Sequence, residues 1–197
     1  MLVNLIRRVH GAWNGTLSFF RLLLPRCAGL QTGFGVHVGG GIEWPLGNVC
    51  NMHVGDRVSL GKRGWFYLPL HNRQAKIRIG SGTAVGNDFV ITSNELIDIG
   101  SDCLLSYRVT VMDHSHVTGP GVAPTTSGLT PGQSISIGDR CFIGCNVVIM
   151  PSVKLGANCV VGANSVVTKS FDAGSVIAGA PARLLRQIGS TPTPVKA

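Results

Sequence analysis

The sequence is short of charge, of aromatic rings and of long apolar runs. Charged residues make up 13% of its 197 residues and aromatic residues 6%, whereas hydrophobic residues reach 44%. A chain with so little charge and so much apolar surface can form a core, which excludes a disordered protein. No apolar run is long enough to cross a bilayer, because Arg21 and Pro25 interrupt the best candidate. No small-residue cleavage site follows an apolar stretch near the N-terminus, so we expect no signal peptide.

The six cysteines lack the CxxC spacing and the histidine partners of a zinc site. They also show no disulfide framework, which indicates a reducing compartment. We therefore expect a cytoplasmic protein that requires no metal. Peripheral attachment at the inner face of the membrane is a second possibility.

The net charge is +8, and the sequence pI is about 9.6. This charge favours anionic partners such as cofactor phosphates, acidic glycan or an anionic membrane surface, although it could serve solubility alone. The basic residues are scattered and no nucleic-acid-binding motif accompanies them, so no nucleic acid is expected.

The segment 137–172 repeats every six residues. An aliphatic residue opens each hexad, at Ile137, Ile143, Ile149, Leu155, Val161 and Val167. A second inward position holds Cys141, Val147, Val153, Cys159 and Ser165. A period of six fits neither an α-helix nor a long flat strand, and it predicts a solenoid in which each hexad is one short strand and one tight corner. Asn146, Asn158 and Asn164 suit corners with left-handed backbone angles, and Cys103, Cys141 and Cys159 are predicted to be buried free thiols.

The N-terminal segment carries apolar residues at helical spacing. These residues are Leu2, Leu5, Ile6, Val9, Trp13, Leu17, Phe20 and Leu24. The spacing predicts an amphipathic helical cap within residues 1–30, which would cover the open end of the solenoid. Its arginines leave peripheral membrane contact through residues 1–24 as the alternative.

The repeat is ragged from residue 33 to 61, and the aromatic run Trp65-Phe66-Tyr67 with His71 and Arg73 interrupts it. This cluster could wall an acceptor pocket or simply pack a loop. The register resumes at Ile79 and stops again after Asp113-His114-Ser115-His116. A proline-containing excursion follows over 117–136, and such departures from a regular fold are usually functional.

The β-solenoid domain is predicted over residues 31–180. Pro181 is placed in a first helical turn, and a short helix is predicted from Ala182 to Ile188. The rest of the segment 181–197 is predicted to be a disordered tail.

Two histidines, His114 and His116, precede the excursion, and three interpretations of them compete. One imidazole could be a general base, because its pKa near 6.5 lets it accept a proton at neutral pH. The pair could chelate a metal, because residues i and i+2 share a face of a strand. The pair could also be ordinary surface residues.

Four stretches together resemble the acetyltransferase branch of the hexapeptide-repeat acyltransferases. They are DHSH, the excursion, SIGDRCFIGCNVVIMPSVKLGANCVVGANSVVTK and IAGAPARLL. The branch includes maltose, galactoside and streptogramin O-acetyltransferases. The resemblance covers residues 79–186 well and 33–78 loosely, and it implies a left-handed parallel β-helix. General rules for parallel crossovers would have predicted the opposite hand.

The resemblance also implies catalytic residues. By position His116 matches the family's catalytic base, and His114 would be a supporting or substrate-side residue. Either Asp113 or a backbone carbonyl could orient an imidazole. A backbone N–H of Gly144 or Cys145 would bind the oxyanion. Acetyl-CoA, the implied donor, would contact Phe142, Gly144, Cys145, Gly162, Ala163, Thr168 and Lys169, with Lys169, Arg183 and Arg186 at its phosphates. Phe142 stands where the family usually has tryptophan.

The implied protein is a homotrimeric O-acetyltransferase that acts on a hydroxyl of a sugar, for example in a bacterial surface polysaccharide or its precursor. The alternatives are N-acetylation of an amino sugar and a non-catalytic scaffold or glycan-binding protein. A γ-type carbonic anhydrase shares the fold but needs further histidines, and none follows His116.

Overall fold

Each hexad of the sequence forms one short strand and one corner, and successive coils stack in parallel. The computed structural model describes residues 17–189. It contains a helix α1 over residues 17–27, a short 3-10 turn Val49–Asn51 and nineteen strands arranged in three faces. The predicted all-β solenoid is confirmed, and it matches a left-handed parallel β-helix.

The first face contains β1 (Gln31–Thr32), β3 (Met52–Val54), β6 (Lys76–Ile79), β9 (Leu96–Ile99), β12 (Ile135–Ile137) and β15 (Lys154–Leu155). The second face contains β2 (His37–Val38), β4 (Ser59–Leu60), β7 (Ala84–Val85), β10 (Leu104–Leu105), β13 (Phe142–Ile143), β16 (Val160–Val161), β18 (Ser175–Gly179) and β19 (Ala182–Gln187). The third face contains β5 (Trp65–Tyr67), β8 (Val90–Thr92), β11 (Thr110–Met112), β14 (Val148–Ile149) and β17 (Val166–Val167).

The core is built from columns of equivalent residues. Ile143 of β13 lies in register between Leu105 of β10 and Val161 of β16, and all three side chains are buried. The predicted thiols form a second kind of column. The Sγ atoms of Cys103, Cys141 and Cys159 lie 3.1, 3.2 and 3.2 Å from carbonyl oxygens of the following coil. The inward positions of the hexads are therefore confirmed, and these cysteines are free.

The corners take the left-handed conformation that the asparagines indicated. Asn146, Asn158 and Asn164 have φ of 56°, 60° and 58°. Arginines occupy the same conformation at other corners, for example Arg108 and Arg140, both with φ of 56°. The sequence did not single them out, because arginine has no intrinsic preference for this region.

Helix α1 satisfies the open edge of the second face. The hydroxyl of Ser18 accepts a hydrogen bond from the N–H of Val38 at 2.9 Å, and Arg21 donates to the carbonyl of Val38 at 2.7 Å. The helix packs through the buried Ser18 and Leu22, whereas Phe20 and Leu24 of the predicted apolar stripe are exposed. The part of the predicted helical segment before residue 17 lies outside the described residues.

The aromatic run at Trp65-Phe66-Tyr67 does not interrupt the register. It forms β5, which pairs with β8 from Trp65 to Tyr67. Phe66 is buried and its ring lies 5.2 Å from that of Trp44 and 4.9 Å from that of Phe89. The predicted interruption instead follows the aromatic run, because residues 68–75, which include His71 and Arg73, form a loop before β6 begins at Lys76.

The prediction of a C-terminal helix is wrong. Residues Ala182–Gln187 form β19, which pairs antiparallel with β18. The edge of β18 offers unpaired backbone groups, and a strand satisfies them where a helix could not. Pro181 lies in the connection between the two strands, after a cis peptide bond. Residues 190–197 lie outside the described residues.

Candidate active site

The long excursion is a hairpin that returns to the solenoid beside the histidine pair. The N–H of Val117 donates to the carbonyl of Gly128 at 3.1 Å, and the N–H of Thr130 donates to that of Ser115 at 2.7 Å. The N–H of Gln133 reaches the carbonyl of Asp113 at 2.8 Å, and β12 then resumes the first face at Ile135. The hydrogen bonds of the excursion therefore hold residues 113–117, which follow β11, in place.

Asp113 lies at the end of β11, and its carboxylate is fully buried. One oxygen, Oδ1, accepts hydrogen bonds from the N–H of Asn94 at 2.7 Å and from Nδ1 of His114 at 2.8 Å. The other, Oδ2, accepts from the hydroxyl of Ser93 at 2.8 Å and from the N–H of Glu95 at 2.9 Å. Four donors on one carboxylate compensate its removal from water.

The balance of these effects keeps Asp113 ionised. Burial by itself raises the pKa of the carboxyl, but the hydrogen bonds from His114, the Asn94 N–H, Ser93 and the Glu95 N–H outweigh it and hold the pKa below its ordinary value. A charged carboxylate accepts, so Nδ1 of His114 carries the proton in the hydrogen bond to Asp113. The neutral imidazole then has its lone pair on Nε2, the tautomer that a general base requires.

His114 and His116 occupy different environments. The side chain of His114 is only 6% exposed and lies beside Tyr67, with ring centroids 6.4 Å apart. His116 is exposed, and its backbone pairs with Leu129 at the base of the hairpin. The side chain of His116 makes no hydrogen bond or ion pair within residues 17–189. Only His114 is therefore oriented by a buried partner.

The outer surface of the third face carries an aromatic pair next to His114. Trp65 is 44% exposed, and its ring centroid lies 5.8 Å from that of Tyr67. The sequence left open whether the run Trp65-Phe66-Tyr67, together with His71 and Arg73, walls an acceptor pocket or packs a loop. Arg73 lines a different concavity of about 710 Å³, and His71 is exposed.

The concavity that Arg73 lines lies on the first face, and Asn94 and Glu95, which donate hydrogen bonds to Asp113, also line it. Its cationic side chains are Arg73, Lys76 and Arg78.

The predicted donor-groove residues lie mainly at the corner that leads into the third face. Gly144 and Cys145 precede β14, and Gly162 and Ala163 occupy the equivalent positions before β17. The N–H of Gly144 already donates to the carbonyl of Val161 at 2.9 Å, so it is not free to bind an oxyanion. The N–H of Cys145 makes no hydrogen bond to another described residue, which leaves it as the available donor of the two.

The remaining predicted donor residues are exposed. Thr168 and Lys169 follow β17, and the Lys169 ammonium lies 5.5 Å from the centre of the Phe171 ring. Phe142 is 42% exposed on the outer side of β13, in the second face. Arg183 and Arg186 project from β19 at the C-terminal edge of that face.

Within one chain these residues form two groups on either side of the third face. His114 follows β11, at the corner that leaves this face, and Lys169 lies at the same corner two coils further on. Cys145 and Ala163 lie at the corner that enters it. The structure thus brings Asp113 and His114 together, but it does not bring them onto the corner of the predicted oxyanion donor.

Sequence reasoning missed the residues that hold Asp113. Ser93, Asn94 and Glu95 occupy the same corner one coil earlier, which is 18 to 20 residues away in sequence. The signal in the sequence that could have revealed them is the short polar run Ser93-Asn94-Glu95 at the equivalent corner of the preceding coil. In the part of the chain that the structure describes, no group of three His, Cys, Asp or Glu side chains could hold a metal ion. No helix in that part is long and apolar enough to cross a membrane.

A sequence profile described as the hexapeptide repeat of succinyl-transferase matches residues 134–169. These residues contain β12 to β17, where the inward columns and left-handed corners are most regular. The coils over residues 134–169 are therefore hexapeptide repeats, and in them the chain is similar to the hexapeptide-repeat acyltransferases.

Two relatives each match about half of the chain. A Dictyostelium discoideum protein named as an acetyltransferase is 46% identical over 92 residues, which is 47% of this chain and 47% of that protein. An Escherichia coli protein named as a lipopolysaccharide biosynthesis O-acetyl transferase is 36% identical over 110 residues, 51% of this chain and 56% of its own. The chain thus matches about half the length of these relatives.

Among solved structures, a hexapeptide-repeat-containing acetyltransferase of Vibrio cholerae in complex with acetyl coenzyme A has a similar fold. Its TM-score is 0.59 with 26% sequence identity, over 78% of this chain and 71% of that one. The similarity in fold therefore covers most of the solenoid, beyond the profile match.

Proposed function

We propose that this protein transfers an acetyl group from acetyl-CoA to a hydroxyl of a sugar. The observation that carries the proposal is the buried Asp113–His114 pair, which presents an oriented imidazole at the base of the hairpin. The acetyltransferase names of its relatives and the acetyl coenzyme A bound by its structural neighbour support the donor. The name of the E. coli relative supports a glycan hydroxyl as the acceptor.

In this mechanism Nε2 of His114 removes the proton from the acceptor hydroxyl as its oxygen attacks the thioester carbonyl. The carbonyl oxygen becomes an oxyanion, which the N–H of Cys145 stabilises. The tetrahedral intermediate collapses, the carbon–sulfur bond breaks, and the imidazolium returns its proton to the CoA thiolate. Asp113 fixes the tautomer and stabilises the imidazolium without taking the proton itself.

His116 was favoured as the base by its position in the sequence, and this stays a prediction. The geometry favours His114, because a buried carboxylate orients only that ring. In our proposal His116 lies on the acceptor side. Trp65 and Tyr67 then offer an aromatic surface on which the apolar face of a sugar ring can stack.

The active site is completed by a second subunit in our proposal. His114 and Cys145 lie at opposite corners of the third face, so the base of one chain would meet the donor groove of its neighbour. A closed trimer of identical chains would contain three such sites. Lys169, Arg183 and Arg186 would bind the phosphates of CoA.

The first experiment is calorimetric titration of the full chain with CoA, because it requires no knowledge of the acceptor. We expect micromolar-range binding that Lys169→Ala weakens about tenfold through loss of a charge-assisted contact. Lys76→Ala, which removes a lysine from the first face, is the matched control and should bind normally. Absence of CoA binding to the wild-type protein would refute the proposed donor and favour a scaffold.

The second experiment assigns the base. Thiol release from acetyl-CoA is followed with a panel of galactosides, glucosides and amino sugars. His114→Ala should lower kcat by about 10²- to 10⁴-fold while CoA still binds. His116→Ala should mainly raise the KM for the sugar. The reverse pattern would return the base to His116, and products that resist mild alkali would indicate N-acetylation.

Mixed oligomers test the shared site. Coexpression of His114→Ala chains with Ala163→Trp chains, which have a blocked groove, should restore part of the activity that each lacks alone. No restoration in oligomers that contain both chains would contradict a site between subunits.

The free cysteines and the acetyl-CoA donor favour a cytoplasmic location.

A further inference from the structure

Helix α1 carries four large apolar side chains that no other part of residues 17–189 buries. Phe19, Phe20, Leu23 and Leu24 are 54%, 63%, 48% and 63% exposed. They lie at i, i+1, i+4 and i+5, and therefore on one side of the helix. We call these four residues the outer face of α1.

The orientation of α1 is fixed by its other side. Ser18 and Arg21 hydrogen-bond to Val38, and Leu22 is buried in the core. Rotating the outer face toward the solenoid would break both hydrogen bonds and leave backbone groups at the edge of β2 unsatisfied. The outer face consequently remains turned outward.

In the part of the sequence that contains the outer face, every charged residue is an arginine. The first acidic residue of the chain is Glu43, whereas Arg7, Arg8, Arg21 and Arg26 precede it. This segment therefore supplies half of the net charge of +8. The stripe that ends at Phe20 and Leu24 also continues toward the N-terminus of the sequence, with Val9 and Trp13 at the same spacing of three and four.

We infer that the outer face of α1 docks on the surface of an anionic lipid bilayer. An apolar helix face inserts its side chains at the boundary of headgroups and acyl chains, and nearby cationic residues attract lipid phosphates. The exposed Arg26 and the sequence neighbours Arg7 and Arg8 supply this positive charge, whereas Arg21 is held by Val38. A second copy of the chain would fit less well, because its own α1 offers the same arginines and no carboxylate. The membrane surface supplies both the apolar layer and the missing negative charge.

This docking is separate from the proposed catalysis. The outer face lies at the N-terminal end of the solenoid, where α1 contacts β2, whereas His114 follows β11 near its middle. It would place the enzyme at a membrane where lipid-linked glycans are accessible. Lipid binding can be measured without acetyl transfer, so failure of one proposal does not affect the other.

The test is flotation of the full chain with two kinds of vesicle, pure phosphatidylcholine and phosphatidylcholine mixed with phosphatidylglycerol. We expect binding to the mixed vesicles that weakens as salt rises. The double variant Phe20→Ser/Leu24→Ser should lower the partition coefficient about tenfold or more, because two large side chains no longer insert. Circular dichroism checks that this variant retains the fold.

The matched control is Leu184→Ser/Leu185→Ser on β19. These leucines are 51% and 61% exposed, but they lie at the opposite end of the solenoid. The control should float like the wild type. No binding to mixed vesicles, or equal loss in both double variants, would overturn the inference. Sedimentation of the lipid-free wild type and the α1 variant provides a further check, since a smaller oligomer in that variant without vesicle binding would assign the outer face to a second copy.

Discussion

Replacing Asp113 with asparagine tests how strongly one buried carboxylate orders the candidate site. The amide keeps the size of the side chain but replaces one acceptor oxygen with a donor NH₂ group. If that NH₂ takes the place of Oδ2, it faces the N–H of Glu95, while Ser93 can rotate its hydroxyl. If it takes the place of Oδ1, it faces the N–H of Asn94 and forces His114 into the other tautomer.

Either orientation turns the NH₂ group of the buried side chain toward a backbone N–H, so that two donors face each other. An unsatisfied buried group costs about 1–3 kcal/mol, and the other hydrogen bonds lose their charge assistance. We therefore expect Asp113→Asn to lower the free energy of unfolding by about 2–4 kcal/mol. In the orientation that switches His114, kcat would fall as well, because Nε2 would carry the proton and could not accept another.

The assay is denaturant unfolding of wild type and variant at equal protein concentration, so that assembly does not bias the comparison. The matched control is Asp139→Asn, because Asp139 is an exposed corner carboxylate that accepts one N–H, from Ser101 at 2.8 Å. It should cost below about 1 kcal/mol. A change within about 0.5 kcal/mol of wild type for Asp113→Asn would refute the reasoning.

Acid supplies an independent measurement of the same group. The pKa of Asp113 is lowered in the folded protein, so its contribution to stability is complete above the unfolded pKa of about 3.9. That contribution is lost as the pH falls through the lower, folded-state pKa. The stability of Asp113→Asn should therefore depend less on pH in this acidic range than that of the wild type.

Two further predictions concern the packing of the coils. A Cβ at Gly144 would lie 2.6 Å from the backbone N of Ala163, so Gly144→Ala should destabilise the protein by about 1–3 kcal/mol in denaturant unfolding. In the control Gly119→Ala the nearest neighbouring atom is 3.6 Å from the new Cβ, so the change should be close to neutral. Equal effects of the two substitutions would contradict the close approach at Gly144. Ile149→Ala removes a fully buried side chain from β14 and should lower the free energy of unfolding by about 2–5 kcal/mol in the same assay. Val148→Ala, which shortens an outward side chain of the same strand, should lower it clearly less. The opposite order would mean that the inward column is misassigned.

Much of the fold could be predicted from the hexads because the repeat is local. Each hexad specifies which two positions point inward and where the backbone must turn, so Ile143 and Cys141 could be assigned without knowledge of their neighbours. The same locality explains why the aromatic run was not recognised as the regular strand β5. Trp65 and Tyr67 point outward beside the buried Phe66, and the uniformly aromatic run concealed the alternation of faces.

The candidate site could be predicted only in part. The histidine pair was recognised from its place before the excursion, but position alone favoured His116. The hydrogen bond that orients His114 depends on a carboxylate whose other donors, Ser93, Asn94 and Glu95, come from the preceding coil.

The sequence by itself determined the solenoid, its inward columns and the left-handed corners at Asn146, Asn158 and Asn164, because these depend on backbone and side-chain preferences within one hexad. Tertiary structure alone decided three other features. It made Ala182–Gln187 a strand, because the edge of β18 required a hydrogen-bonding partner. It turned Phe20 and Leu24 outward, because Ser18 and Arg21 were needed at the edge of β2. It ionised and ordered Asp113, because the donors that compensate its burial reach it only once the coils are stacked.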